Sequence, residues 1–436
     1  METAFTGADI LLPGPKVDME KWAVVACDQF TSEPAYWEET RKIVGQNPST
    51  LNLILPEVYL EAKDVEERLQ VIGNHMKEYL KQGIFVEYKD AMVYVERKDS
   101  RGRKRAGLVG KIDLEEYDFR RESQSQVRAT EATVTERIPP RLRVRREALL
   151  ELPHIMLLLD DPKASVVEPL EKKVDSMKKL YDFSLMQEGG FVTGYLLGKE
   201  ERVQVEEALR RLQEKAILLQ QKEVPEKDIT AKNCLLYAMG DGNHSLATAK
   251  TAYEQWKTEY PGEDTSQYPG RYALVELVNL HSSALKFKAI HRLLTEVDVK
   301  NLIEEMTEEL GLLEPDQWQM QREKEENKAQ IIELWYGEKV EKRVITKPRA
   351  KLAVGSVQNF LDEYLKKYPG KMDYIHGEQS LRQLAKQEHA LGIHLEDMKK
   401  EELFPTVRQD GALPRKTFSM GHARDKRYYL ECRKIR

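Results

Sequence analysis

The sequence predicts an α+β fold of mixed sheets flanked by helices, and three observations carry that reading. Apolar runs of strand length, such as 155–159 and 235–239, alternate with stretches whose apolar residues recur every three or four positions. The chain has 436 residues, is 41% hydrophobic and 33% charged, and so can form two or three domains with real cores. Residues 235–249, Leu-Leu-Tyr-Ala-Met-Gly-Asp-Gly-Asn-His-Ser-Leu-Ala-Thr-Ala, pass from an apolar run through a glycine-rich turn into a helical pattern.

The elements follow in chain order. Residues 22–26 (Trp-Ala-Val-Val-Ala) read as a buried strand that delivers Cys27, Asp28 and Gln29 to its end. Val65, Leu69, Ile72, Met76 and Leu80 mark an amphipathic helix over 61–82, and Gly83 stops it. Strands are expected at 84–88, 92–96 and 106–113, with Asp99 to Arg105 as a charged, solvated hairpin tip. Residues 120–146 hold eight arginines: Arg120, Arg121, Arg128, Arg137, Arg141, Arg143, Arg145 and Arg146. Their apolar periodicity is weak, and Pro139-Pro140 is expected to break any helix. Most of these arginines read as a polar loop neutralised by Glu122, Glu131, Glu136 and Glu147; arginine also grips phosphate or carboxylate in a two-pronged fork. Helical patterns are expected over 165–181, 203–222 and 271–285. The stretch 296–346 combines an acidic helix with strands such as 331–336 and reads as a small α/β unit. The domain expectation is an N-terminal α/β lobe over 1–160, a motif-bearing lobe over 161–295 and a C-terminal α/β lobe over 296–436.

At 235–249 the run Leu235 to Met239 is the strand, Gly240, Asp241 and Gly242 form the turn, and the helix begins near Ser245. Such a junction gathers backbone N–H groups and the positive helix end at one point, which suits phosphate or carboxylate. Asp241, Asn243, His244 and Ser245 would surround it. The plain alternative is a strand-to-helix turn capped by Asn243 or Ser245.

Several classes are set aside. The net charge of −5 gives no general attraction to nucleic acid. No apolar run approaches the roughly 18 residues of a membrane span. Met1-Glu2-Thr3-Ala4 lacks the basic and apolar regions of a secretory signal. Cys27, Cys234 and Cys432, odd in number and far apart, fit a reduced compartment, so the expectation is a cytoplasmic protein. No phosphate-binding P-loop, dinucleotide fingerprint, His-Glu-x-x-His pair or nucleophile elbow occurs, and no metal cluster is expected.

Six blocks together resemble the domain-of-unknown-function family numbered 1015. They are Trp22-Ala-Val-Val-Ala-Cys-Asp-Gln-Phe-Thr31, Val127-Arg-Ala-Thr-Glu131, Glu136-Arg-Ile-Pro-Pro-Arg141, Gly240-Asp-Gly-Asn-His-Ser245, Ala289-Ile-His-Arg292 and Arg415-Lys-Thr-Phe-Ser419. The family's central motif, usually Asp-Gly-His-His-Arg, is similar to the Gly-x-His-Arg motif of the ParB/sulfiredoxin-like superfamily. That superfamily includes sulfiredoxins, nucleotide-binding partition proteins and free-serine kinases. There the motif lies where a strand meets a helix and holds nucleotide phosphates. Here Asn243 stands for the first His and Ser245 for the Arg, which removes a strong phosphate donor. Arg128 or Arg292 would then supply the charge.

The resemblance implies a small-molecule phosphotransferase that uses a nucleotide with Mg²⁺ and acts on a phosphorylated or amino-acid-like substrate. Gly240, Gly242, Asn243 and Ser245 would form the phosphate cradle, with Arg128, Arg292 and His291 beside it. Glu131, Asp28 or Asp241 would serve as base or Mg²⁺ ligand, with His244 a further catalytic residue. Each has a plainer reading: Asp28 as a strand-end cap, Glu131 paired with Arg128, His291-Arg292 as a surface pair. The alternative function is a non-enzymatic nucleotide-binding regulator similar to partition proteins. The partner is a small molecule, with neither membrane nor nucleic acid expected.

Overall fold

A computed structural model describes residues 3–152, 155–321, 330–421 and 423–436. The chain forms two compact units, Met1–Leu285 with Gly421–Arg436, and Lys286–Met420.

A mixed sheet organises the first unit. Its strands are β1 (Phe5–Thr6), β2 (Val93–Lys98), β3 (Lys104–Asp113), β4 (Tyr117–Asp118), β5 (Val127–Arg128), β6 (Met156–Leu159), β7 (Lys178–Leu185), β8 (Gly190–Leu196), β9 (Tyr237–Asp241) and β10 (Tyr272–Asn279). Their spatial order is β7-β8-β2-β3-β10-β6-β9-β5-β4, with β1 added to β3. β10 runs parallel to β6, and β9 parallel to β5, while β9 is antiparallel to β6 and β10 to β3. The sheet draws strands from both sides of residue 160, so a lobe boundary expected there falls inside hydrogen-bonded structure.

Alternation along the strands feeds two cores. Val93 and Val95 face one, with Trp22, Trp37, Met76 and Tyr79. Tyr94, Leu108 and Leu157 face the other, covered by Leu209 of α3 (Lys199–Glu223) and by Leu246, Ala249 and Tyr253 of α4 (Asn243–Glu259). The expected helix over 61–82 is present as Val65–Lys81, and Gly83 follows it at φ +65°.

Five local expectations are corrected. Residues 271–285 do not form a helix: 272–279 are β10, bonded on both sides to β3 and β6. A nearly continuous apolar run suits a strand buried on both faces as well as it suits a buried helix. Residues 165–181 divide into a 3-10 segment, Glu168–Ser176, followed by β7. Residues 22–26 are not a full strand; a helical turn, Met19–Trp22, precedes a buried extended segment held by one bridge, Val25 to Tyr428. Pro139-Pro140 opens a helix, Ile138–Glu147, because proline in a first turn sacrifices no helical hydrogen bond. The basic hairpin is paired, not merely solvated: Lys104 meets Glu96 at 2.6 Å, and Arg105 meets the buried Glu276 at 3.3 Å. Likewise Arg141 and Arg143 pair with Glu57 and Glu66, carboxylates distant in sequence, and Arg145 pairs with Glu151, six residues on.

The second unit is an antiparallel sheet. Its principal strands are β11 (Phe287–Thr295), β12 (Gln330–Tyr336), β13 (Lys339–Ile345), β14 (Lys371–His376) and β15 (Leu391–Leu395), in the order β13-β12-β15-β11-β14. Leu302, Met306 and Leu310 of helix Val299–Leu310 pack with Phe360 and Leu361 of helix Ala353–Lys367 over Leu334, Leu391 and Ile393. The acidic helix and the strand expected in 296–346 are Val299–Leu310 and β12. The α+β class with mixed sheets flanked by helices therefore holds. Among the described residues no helix is long and apolar enough to cross a membrane.

Candidate functional site

Strand β9 is fully buried at Tyr237, Ala238 and Met239, so its end is fixed by the core of the first unit. At Gly240 the backbone lies against β6: a Cβ there would meet Leu158 Cγ at 2.9 Å. Gly242 then turns the chain at φ 81° and ψ 27°, the left-handed region that glycine enters without a side-chain clash. It is also the N-cap of α4, where a glycine offers no side chain to cap the helix. The N-cap position is thus Gly242, with Asn243 and Ser245 inside the helix, where the plain alternative put one of them at the cap. Gly240 and Asp241 complete the strand instead of the turn.

Polar groups collect around this junction. Asp241 accepts from the Gly242 amide at 3.1 Å and from Lys426 Nζ at 2.8 Å. Lys426 and Asp241 are each about one-fifth exposed, 21% and 22%. Burial opposes the lysine's charge, and the Asp241 carboxylate, joined by the field of Asp28, outweighs it and raises the pKa above its usual value. Asn243 Oδ1 and Thr133 Oγ1 are buried polar atoms with no hydrogen-bond partner among the described residues. The segment 129–134 follows the strand end: Thr130 Oγ1 donates to the Met239 carbonyl at 2.7 Å, and the Val134 amide donates to His244 Nε2 at 3.4 Å. Half-buried Glu131 lies within it. Asp28 accepts from Gln29 Nε2 at 2.9 Å.

Three expected site residues have other surroundings. Arg128 pairs in register with Ala238, but its guanidinium donates to the carbonyls of Ser125 and Asn233 at 2.9 and 2.8 Å. Those residues precede β5 and β9, at the end away from Gly242. Arg292 is fully buried in the second unit and donates there to Gln358 Oε1 at 2.8 Å and to the carbonyls of Ile290 and Lys416 at 2.6 and 2.9 Å. His291, also buried in that unit, accepts from the Leu395 amide at 3.2 Å and stacks on His394. Burial, then the His394 charge, pushes its pKa down to about 4. The surface-pair reading of these two residues is corrected by their burial.

Sequence reasoning missed the cation that meets Asp241, Lys426, and the buried charges near it in the sheet. Across the sheet Asp241 is in register with Met156, and Met156 with Glu276. Glu276, 2% exposed, is matched by Arg105 and Arg427, and Arg427 is matched in turn by Glu431. Burial raises the Glu276 pKa, but the two guanidinium groups more than offset it and hold the carboxyl below its usual range. Arg97 donates to the carbonyls of Gly189 at 3.0 Å, Arg424 at 2.8 Å and Lys426, fixing the segment that carries the lysine. One signal was available: Glu276 is the lone charge in Tyr272-Ala-Leu-Val-Glu-Leu-Val278, and a buried charge requires a partner.

Beside the first turns of α4 lies a hollow of about 160 Å³ whose wall includes Ser245, Thr248, Cys27 and Tyr429. Among the described residues no group of three or more His, Cys, Asp or Glu is arranged to hold a metal by itself.

The family model described as "Protein of unknown function (DUF1015)" matches residues 11–364. No curated protein matches the chain. Among solved structures it is similar to a free serine kinase in complex with AMP, at 13% identity and a TM-score of 0.38, covering 75% of this chain and 92% of that one. A conserved hypothetical protein from Pyrococcus furiosus is similar at 13% identity and TM-score 0.35, covering 72% and 90%. SbnI with a C-terminal truncation, from Staphylococcus aureus, is similar at 9% identity and TM-score 0.35, covering 72% and 82%.

Proposed function

This chain belongs to the DUF1015 family, whose name carries no activity, and from its site we propose that it is a small-molecule phosphotransferase binding phosphate at the β9–α4 junction. The observation that supports this most is the pairing of a left-handed Gly242 as N-cap of α4 with a mostly buried lysine one residue away, at Asp241. Amides and the helix dipole favour an anion at that point. Lys426 supplies the full positive charge that Ser245 cannot, since a hydroxyl brings one neutral donor. The unpartnered Asn243 Oδ1 and Thr133 Oγ1 are polar atoms a ligand or water would satisfy.

A bound nucleotide with Mg²⁺ would supply the phosphoryl group. Asp28 would offer a carboxylate to the metal, which characteristically binds one or two carboxylates together with phosphate oxygens. Glu131 and His244, on the loop and helix flanking the junction, are the groups proposed to orient the acceptor and take its proton. Arg128, and Arg292 with His291, are assigned to the frames of their units instead of the phosphate.

The test is calorimetric titration of the full chain with ATP, ADP and inorganic phosphate in the presence of Mg²⁺. Saturable binding that is lost in Gly242→Val, with cooperative melting retained, is expected. Absence of binding by all three ligands to the unmodified chain refutes the proposal.

A further inference from the structure

The hollow of about 160 Å³ beside α4 is a partly open concavity. An apolar cavity of about 150 Å³ is enough to hold a benzene ring. Much of the wall is aliphatic, formed by Leu53, Ile54, Leu55, Met76, Leu152 and Ile155. Its two arginines are matched by carboxylates: Arg141 bonds Glu57 through Nε at 2.8 Å, and Arg145 bonds Glu151 at 2.8 Å. The charges lining the hollow are thus balanced, and an ionised ligand would lose its hydration for no matching partner.

The hydroxyls in the wall fix the remaining chemistry. Thr248 donates its proton to the His244 carbonyl at 2.7 Å, whereas Tyr429 both donates to Cys27 Sγ at 3.0 Å and accepts from the Cys27 amide at 3.2 Å. The Thr248 hydroxyl, its proton so engaged, still has lone pairs to accept with. The wall therefore asks for a ligand that donates.

We propose that this hollow binds a neutral, ring-sized apolar molecule carrying one hydroxyl, with that hydroxyl directed at Thr248. Ser245 lines the hollow three residues after Gly242, so the ligand's hydroxyl lies toward the phosphate end of α4. Calling this molecule the phosphoryl acceptor rests on the function proposed above; its binding does not.

Calorimetry of the full chain with benzyl alcohol, toluene and benzoate tests the inference. Benzyl alcohol is expected to bind saturably and more tightly than toluene, with benzoate the weakest. Thr248→Val, which keeps the shape and removes the acceptor, is expected to weaken benzyl alcohol by about 2–12-fold, the effect of one hydrogen bond, and to leave toluene unchanged. Ala148→Trp, which fills the hollow from its wall, is expected to abolish both. Should Ala148→Trp fail to melt cooperatively, the near-isosteric Thr248→Val decides. No saturable binding of benzyl alcohol, equal or tighter binding of benzoate, or an unchanged affinity in Thr248→Val overturns the inference. Benzyl alcohol binding without any nucleotide or phosphate binding would refute the phosphotransferase reading alone.

Discussion

Replacing Lys426 by Met removes the ammonium from Asp241 and keeps a similar aliphatic length. The two groups meet at 2.8 Å with about four-fifths of each side chain covered. An exposed pair of this kind is worth roughly 0.2–1 kcal/mol, and breaking a fully buried one costs about 3–5 kcal/mol. At one-fifth exposure the appropriate scale is the hydrogen bond to a charged group, about 1.5–3 kcal/mol. Urea unfolding is expected to register that loss. Phosphate or nucleotide affinity is expected to fall by roughly 10–150-fold, the same range expressed as a binding ratio. The pH dependence has a definite sign. The folded-state pKa of Lys426 is raised, so the pair's contribution is complete below the unfolded lysine value and is lost only as pH rises through the higher folded one. Between pH 6 and 9 the difference between Lys426→Met and the unmodified chain should therefore be flat. Lys89→Met is the control, because its partners Asp9 and Glu87 sit at an exposed site, where Lys89 is 67% exposed; it should change stability by less than about 0.5 kcal/mol. Equal effects at Lys426 and Lys89, or unaltered phosphate binding in Lys426→Met, would refute the reasoning.

Gly242→Val puts a β-branched residue at φ 81° and is expected to cost about 1–2 kcal/mol or more in thermal unfolding while abolishing anion binding. Glu276→Gln leaves Arg105 and Arg427 facing a neutral amide in the sheet interior, and a loss of about 3–5 kcal/mol in urea unfolding is expected; a loss below 1 kcal/mol would show that the arginines find other partners. His291 stays neutral in the fold because its pKa is depressed to about 4, so its contribution is full above the unfolded value near 6.5 and is lost as pH falls toward 4. Acid titration of stability should show this loss, up to about 3 kcal/mol, and His291→Gln should flatten it.

Where a short stretch of chain determined its own conformation, the sequence was a sound guide. The amphipathic spacing of Val65, Leu69, Ile72 and Met76 is the helix Val65–Lys81, and the run ending at Met239 with Gly242 behind it is the β9–α4 junction. Periodicity and a left-handed glycine are properties of neighbouring residues. The segment 271–285 failed because an apolar run satisfies either a buried helix or a central strand, and only the ladders to β3 and β6 decide between them. Pro139-Pro140 failed for a positional reason, since the same prolines that break a helix interior are accommodated in its first turn.

The site divides along the same line. By itself the sequence determined that a strand passes through a glycine turn into a helix here, though the strand runs on to Asp241 and the helix begins at Asn243. Only the tertiary structure decided the charge. Lys426 reaches Asp241 across 185 positions of sequence, carried by a segment whose carbonyls Arg97 holds. Arg128 and Arg292, the cations the motifs suggested, are directed instead at backbone carbonyls in their own units. A guanidinium or an ammonium has the same letter in the sequence whether it meets a ligand or a carbonyl. Its partner is set by strand register and by which distant segments close over the sheet, and neither leaves a period in the chain.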